Sequence, residues 1–183
     1  MGSEQPAKYY DDIFEHSVDY AVAPHLAPWA HIWWEVDVRV ERDARVLDLG
    51  CGPGHLAEWL APSVASYTGV DFSSIAISQA RSRCAHFPHV QFRVGDLRDA
   101  WDDAQYDIVV CCEVLEHIEA DLEILARVPT NMPVVFTVPD FDDAGHVRHF
   151  ADVGQVQARY AHLFGSLDVT KVQRHYICEG KRA

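Results

Sequence analysis

Val46-Leu47-Asp48-Leu49-Gly50-Cys51-Gly52-Pro53-Gly54 carries the strongest structural signal in the chain. A short apolar run leads into three glycines at alternate positions, and Leu56, Trp59 and Leu60 then fall on one face of a helix. That order is strand, tight turn, helix. Glycine lacks a Cβ, so the backbone can bend sharply and a ligand can approach main-chain atoms closely. The spacing G-x-G-x-G, with Asp48 two residues before the first glycine, argues against a pyrophosphate, which favours helix N–H groups away from carboxylates. An aspartate in that place suits a cation. The turn predicts a cofactor site at the C-terminal end of a parallel strand.

Beyond the turn, short apolar runs alternate with helical patterns, the mark of a parallel sheet covered on both faces. The expected strands are Arg45–Leu49, Ser66–Asp71, Val90–Gly95, Tyr106–Cys112 and Met132–Val138. Helices are expected over Gly54–Ala61, Ser73–Cys84, Ile118–Val128 and Asp152–Phe164, the last with Gly165 as its C-cap. Leu167–Gln173 and His175–Gly180 leave too little chain between them for a helical crossover, so they read as antiparallel neighbours. Before the turn, Tyr9, Tyr10, Ile13, Phe14 and Val18 recur at helical spacing over Tyr9–Val22. Leu26, Trp29, Ile32, Trp33 and Val36 give a second helix starting near Pro24 or Pro28. The expected organisation is one domain over residues 1–183, with a helical layer at 1–43 and a cofactor-binding core at 44–183.

The 183 residues are 49% hydrophobic and 23% charged, enough for one sizeable core. Apolar runs such as Ile108–Cys112 fall far short of the roughly 20 residues that span a bilayer, so no membrane partner is expected. The first residues lack the basic, apolar and small-residue order of a secretory signal. Five cysteines, an odd number without a C-x-x-C pair, read as reduced thiols of a cytoplasmic protein. Acidic residues number 28 against 15 basic ones, and the formal net charge of −13 repels phosphate backbones. With no Lys/Arg cluster to offset that charge, nucleic acid is disfavoured as a partner.

Val46–Gly54 resembles the first motif of the class I S-adenosylmethionine-dependent methyltransferases, and the likeness runs from about Asp43 to Gly180. The resemblance implies a Rossmann-like α/β fold: seven mostly parallel strands with an antiparallel last strand, helices on both faces and an N-terminal helical lid. It also implies the cofactor, S-adenosyl-L-methionine, and the residues around it. Asp48, Gly50, Cys51, Gly52 and Gly54 belong to the turn. Asp71, 23 residues after Asp48, takes both ribose hydroxyls, which one carboxylate can accept together. Phe72 lies against the adenine, Asp96 accepts from its amino group and Leu97 supplies an apolar edge. Cys112 belongs to the run Cys111-Cys112-Glu113-Val114-Leu115-Glu116-His117, whose first residues face the methionine part. Tyr9 and Tyr10 close over the cofactor as a lid, with core packing as the other reading of one of them.

The implied activity is methyl transfer to oxygen or nitrogen of a small molecule, with specialised metabolism as one setting and a monomer or homodimer as the working form. Displacement at a sulfonium calls for alignment and exclusion of water more than for a covalent nucleophile. In this fold acceptors bind beyond the C-terminal strand ends, within reach of the N-terminal layer, Glu113–His117 and the loop Pro139–Phe150. His149, and after it His146, is the expected base or hydrogen-bond donor, with Glu113 a third candidate. The competing reading is a surface loop with solvated histidines. Trp29, Trp33 and Trp34 are read either as acceptor lining or as packing. No metal is expected, since His146 and His149 lack a third ligand at a useful spacing. The same cofactor motifs would serve non-methylating chemistry such as internal displacement at the methionine side chain, or a sensor without turnover; a nicotinamide oxidoreductase is the alternative from another class.

Overall fold

The computed structural model describes residues 2–99 and 105–183, so Met1 of the expected N-terminal layer lies outside the described residues. Seven strands form one sheet in the order 3-2-1-4-5-7-6, the mostly parallel Rossmann-like arrangement. The chain divides into two compact units, Pro6–Asp107 and Ile108–Ala183, the latter joined by the first few residues.

In Pro6–Asp107 the helices are α1 (Ala7–His16), α2 (Ala30–Asp37), α3 (His55–Leu60) and α4 (Ser74–Arg83). The strands are β1 (Arg45–Leu49), β2 (Ser66–Asp71) and β3 (Val90–Val94), with β2 paired in parallel to both β1 and β3. Val46, Leu47 and Leu49 are buried. A strand covered on both faces has no solvent side, so its apolar run is continuous rather than alternating. Ser73 caps α4, its side chain accepting from the Ala76 amide at 3.0 Å.

The N-terminal layer departs from the expected pair of helices. α1 stops at His16 because Ser17 is extended, and a 3-10 turn over Val18–Tyr20 leaves Val18 exposed rather than on the apolar face. The second helix starts at Ala30, not near Pro24 or Pro28. Ala23 and Ala27 are extended, as residues before proline are forced to be, so Pro24–Leu26 forms only a 3-10 turn and Leu26 is exposed. The three tryptophans separate: Trp33 is buried, Trp34 is exposed, and Trp29 stacks on Tyr20 with ring centroids 4.8 Å apart.

The other unit contains β4 (Ile108–Cys111), α5 (Asp121–Ala126), β5 (Pro133–Pro139), α6 (Val153–Tyr160), β6 (Phe164–Val172) and β7 (His175–Arg182). β5 runs parallel to β4, whereas β7 is antiparallel to both β5 and β6, the reversed last strand expected. Gln173, at φ 53°, sits in the tight connection between β6 and β7. Gly165 is not a helix cap: a 3-10 turn over Ala161–Leu163 ends α6, and Gly165 already lies in β6. α5 and α6 are tied at the buried carboxylate of Asp121. It accepts from Arg159 through both oxygens, at 2.7 and 2.8 Å, and from the Tyr160 hydroxyl at 2.8 Å. Among the described residues, no helix is long and apolar enough to cross a membrane.

Candidate functional site

The glycine turn closes β1 onto the end of β2. Gly50, Gly52 and Gly54 all have positive φ, at 82°, 50° and 81°, the left-handed region that side chains disfavour. At Gly54 the need is also spatial, since a Cβ would fall 2.9 Å from the Ala80 Cβ on α4. The Gly50 and Cys51 amides donate to the Val70 carbonyl at 2.8 and 3.1 Å, which holds the turn against β2. Asp71 fixes its far side, accepting from the Gly52 amide on one oxygen and the Ser73 amide on the other, both at 2.9 Å. Each oxygen keeps a second lone pair for a diol. Burial raises the Asp71 pKa, and the two amides oppose that shift.

Asp48 does not open onto the turn. It is 2% exposed and accepts a very short hydrogen bond from the Tyr67 hydroxyl. Burial pushes its pKa up to about 7, against the Tyr67 hydrogen bond. The sequence reading gave this carboxylate a direct charge role; the fold makes it a buried brace between β1 and β2. Cys51 is likewise sealed, and burial, with the charges of Asp48 and Asp71, holds its thiol far above the reactive range. Gly69, which the sequence reading passed over, makes room for it: a Cβ there would meet Cys51 Sγ at 2.7 Å.

α1 covers this turn. Phe14 reaches to 3.8 Å of the position a Gly52 Cβ would occupy, and Tyr10 lies 5.5 Å from the Phe72 ring, centroid to centroid. Tyr9 meets Tyr10 edge-on at 5.2 Å. Phe72 is 40% exposed, a half-open aromatic plane, Leu97 is buried, and the exposed Asp96 accepts from the Arg98 amide at 2.8 Å. The polar anchors of the layer were not legible beforehand. Asp11 accepts from the Ser73 hydroxyl, Gln79 donates to the Phe14 carbonyl at 3.0 Å, and Arg83 donates to the carbonyls of Tyr20, Val22 and Pro53.

In Ile108–Ala183 the run after β4 carries a second polar cluster. Glu113 has φ 57°, a strained conformation for a side-chain-bearing residue. Thr137 holds it there: the Glu113 amide donates to Thr137 Oγ1, and that hydroxyl donates to Glu113 Oε1, both at 2.8 Å. Glu113 Oε2 stands 3.1 Å from His175 Nε2. Cys112 is buried beside it.

The loop Pro139–Phe150 is mostly docked rather than a surface loop. The Val147 amide donates to the Glu116 carbonyl at 2.8 Å, and the buried Arg148 guanidinium donates to the carbonyls of Leu115, Ile118 and Glu119. Its two histidines part company. His149 is exposed, with Nδ1 3.9 Å from Asp142, whereas His146 is buried with its ring 4.7 Å from that of His117. Burial and His146 lower the His117 pKa to about 4. Glu116, His117 and His146 bring one donor atom each within 4.8 Å of one another, a grouping able to hold a metal ion that the sequence reading did not assemble.

A family model described as a methyltransferase domain matches residues 46–130, from the glycine turn through the Glu113–His117 run. Over these residues the chain is similar to that family of methyltransferase domains. Among similar proteins, the chain is 31% identical over 137 residues to the mitochondrial ubiquinone biosynthesis O-methyltransferase of Schizosaccharomyces pombe, covering 60% of this chain and 50% of that one. The chain spans about half the length of the curated relatives it matches. Its fold is that of the DhpI–S-adenosylhomocysteine complex, with TM-score 0.76, 21% identity and coverage of 97% of this chain and 95% of that one. It is also that of the N-methyltransferase NodS from Bradyrhizobium japonicum, solved with S-adenosylhomocysteine, with TM-score 0.71, 18% identity and coverage of 97% and 99%.

Proposed function

We propose that the chain binds S-adenosyl-L-methionine and transfers its methyl group to an oxygen of a small molecule. The observation that carries this reading is the Asp71 clamp, a buried carboxylate fixed by two amides at the end of β2, with lone pairs left for a ribose diol. The adenosyl group is assigned to Asp71, Phe72, Asp96 and Leu97, and the methionine part to the backbone of Gly50, Gly52 and Gly54. Bound there, the cofactor supplies an electrophilic methyl on a sulfonium. Tyr9, Tyr10 and Phe14 exclude water above the turn, so that the protein contributes alignment, worth up to about 7–11 kcal/mol.

The choice of oxygen rests on the relatives' name as O-methyltransferases. Proton removal from the acceptor hydroxyl is assigned to Glu113, whose carboxylate is oriented by Thr137 and faces His175, and not to the exposed His149. Five buried cysteines, none in a disulfide among the described residues, fit a reducing compartment, and the reading places the chain in the cytoplasm.

Mass spectrometry of reactions with a panel of phenols and carboxylates tests the reading. S-adenosylhomocysteine and a product heavier by one methylene are expected. Methylthioadenosine as the product would overturn methyl transfer in favour of internal displacement. Glu113→Gln is expected to lower kcat with cofactor affinity retained; an equal loss in His149→Ala would return the role to the loop.

A further inference from the structure

The C-terminal end of β5 carries two cations, in a chain whose formal net charge is −13. Lys171, near the end of β6, and Arg174, in the turn to β7, both reach the carboxylate of Asp140, the residue after Pro139. Lys171 Nζ stands 2.8 Å from Asp140 Oδ2, and Arg174 donates through Nε to Oδ1 at 2.9 Å. The Asp140 amide donates to the Arg174 carbonyl at 2.8 Å, which fastens the β6–β7 turn to the end of β5. The hydrogen bond from Lys171, with that from Arg174, holds the Asp140 carboxyl below the usual carboxylate range. One carboxylate thus faces two cations, and a positive charge is left over.

Arg174 is arranged for a further acceptor. Its Nε is taken by Asp140, while among the described residues its two terminal amino groups have no hydrogen-bond partner. Its guanidinium carbon lies 4.6 Å from the centroid of the Phe141 ring, which supports one face of the fork. The Arg174 side chain is 65% exposed and that of Lys171 44%, against 17% for the Asp140 that holds them. A guanidinium fixed along one edge and on one face presents its remaining N–H groups as a pair, the geometry that carboxylates and phosphates meet with two parallel hydrogen bonds. Exposed ion pairs contribute little to stability, so folding does not account for the second cation.

The position connects this pair to the proposed base. Phe141 meets His175 edge-on with ring centroids 5.5 Å apart, and His175 Nε2 is 3.1 Å from Glu113 Oε2. Arg174, Phe141, His175 and Glu113 form one continuous row at the strand ends where this fold binds its ligands. Asp142, which follows Phe141, has a partner of its own in His149 at 3.9 Å.

We propose that Arg174 and Lys171 form an anion subsite for the acceptor, a small molecule that carries a carboxylate or phosphate group besides the hydroxyl that is methylated. Arg174 takes two oxygens of that group through its terminal nitrogens, and Lys171 supplies the second charge. The fate of the hydroxyl rests on the methyl-transfer reading, whereas the subsite is tested by binding alone.

The full chain, with no methyl donor present, is titrated with 3-hydroxybenzoate, 3-hydroxyphenyl phosphate and the uncharged 3-hydroxybenzyl alcohol, and binding is read by calorimetry. One of the two anions is expected to bind at least about 10-fold more tightly than the alcohol, with the margin shrinking as salt is added. The tighter anion names the group. Arg174→Ala is expected to weaken anion binding at least about 10-fold, and Arg174→Lys, which keeps the charge but loses the fork, to fall between. Lys171→Ala is expected to weaken it by a smaller factor. Lys181→Ala removes an exposed charge at the other end of β7, opposite Pro133, and is expected to change nothing. The subsite is overturned if neither anion outbinds the alcohol, if affinity survives in Arg174→Ala, or if Lys181→Ala loses as much. Arg174-dependent binding without methylation of either anion keeps the subsite and strikes the reaction alone.

Discussion

Asp71 accepts a hydrogen bond from the Gly52 amide at 2.9 Å, so the end of β2 and the middle of the glycine turn are held as one rigid edge. Its other oxygen takes the Ser73 amide, and Ser73 in turn caps α4. A single carboxylate thereby sets strand end, turn and helix start.

Replacing Asp71 by Asn keeps an acceptor but removes the charge. Hydrogen bonds to charged groups are worth about 1.5–3 kcal/mol, so calorimetry with S-adenosylhomocysteine is expected to show affinity lower by roughly 10- to 150-fold. Wild-type affinity in Asp71→Asn would take the residue out of the cofactor site.

Gly54→Ala and Gly52→Ala separate strain from space. Both positions have positive φ, which alone costs about 1–2 kcal/mol with a side chain. Only at Gly54 does the added Cβ strike α4, at 2.9 Å from Ala80 Cβ and 3.0 Å from its Cα, whereas at Gly52 the nearest atoms are those of Phe14 at 3.8 Å. Overpacking adds about 1–3 kcal/mol, so urea unfolding is expected to rank Gly54→Ala clearly below Gly52→Ala in stability. Equal midpoints would show that α4 yields without cost.

Asp48 predicts a pH dependence whose sign follows from its raised pKa. Between about 4 and 7 the folded chain keeps the Asp48 proton and the unfolded chain loses it, so this residue's contribution to stability falls as pH rises. The slope is at most about 1.4 kcal/mol per pH unit, and the loss is complete above the folded pKa. His55 and His117, whose pKa values are lowered to about 4 by burial, pull the other way below their ordinary pKa. The quantity to measure is therefore the stability of wild type minus that of Asp48→Asn from pH 4 to 8. It should decline steadily to about pH 7; a flat difference would mean that Asp48 ionises normally.

Asp121→Ala leaves the Arg159 and Tyr160 groups on α6 without their shared acceptor. Breaking one side of a buried ion pair costs about 3–5 kcal/mol, large enough to lower Tm by many degrees. Asp121→Asn, which retains an acceptor for Tyr160, should fall between; a loss under about 1 kcal/mol in the alanine variant would show the pair to be solvated.

The fold and the shape of the glycine turn were readable from the sequence, because both depend on local chemistry. A buried parallel strand needs an unbroken apolar run, a tight turn at its end needs glycine, and the acidic residue closing β2 lies at a short, regular distance along the chain. Gly50, Gly52 and Gly54 therefore turn the chain at the end of β1, and Asp71 closes β2. Which polar groups meet, and whether each one faces open space or another side chain, depends on packing between distant segments. Asp48 looks inward to Tyr67, His149 points to solvent, and His146 is carried to Glu116 and His117 by loop contacts that no spacing in the sequence encodes. Periodicity records which residues are buried. It does not record their partners, since a buried carboxylate or imidazole is fixed by hydrogen bonds to distant backbone groups.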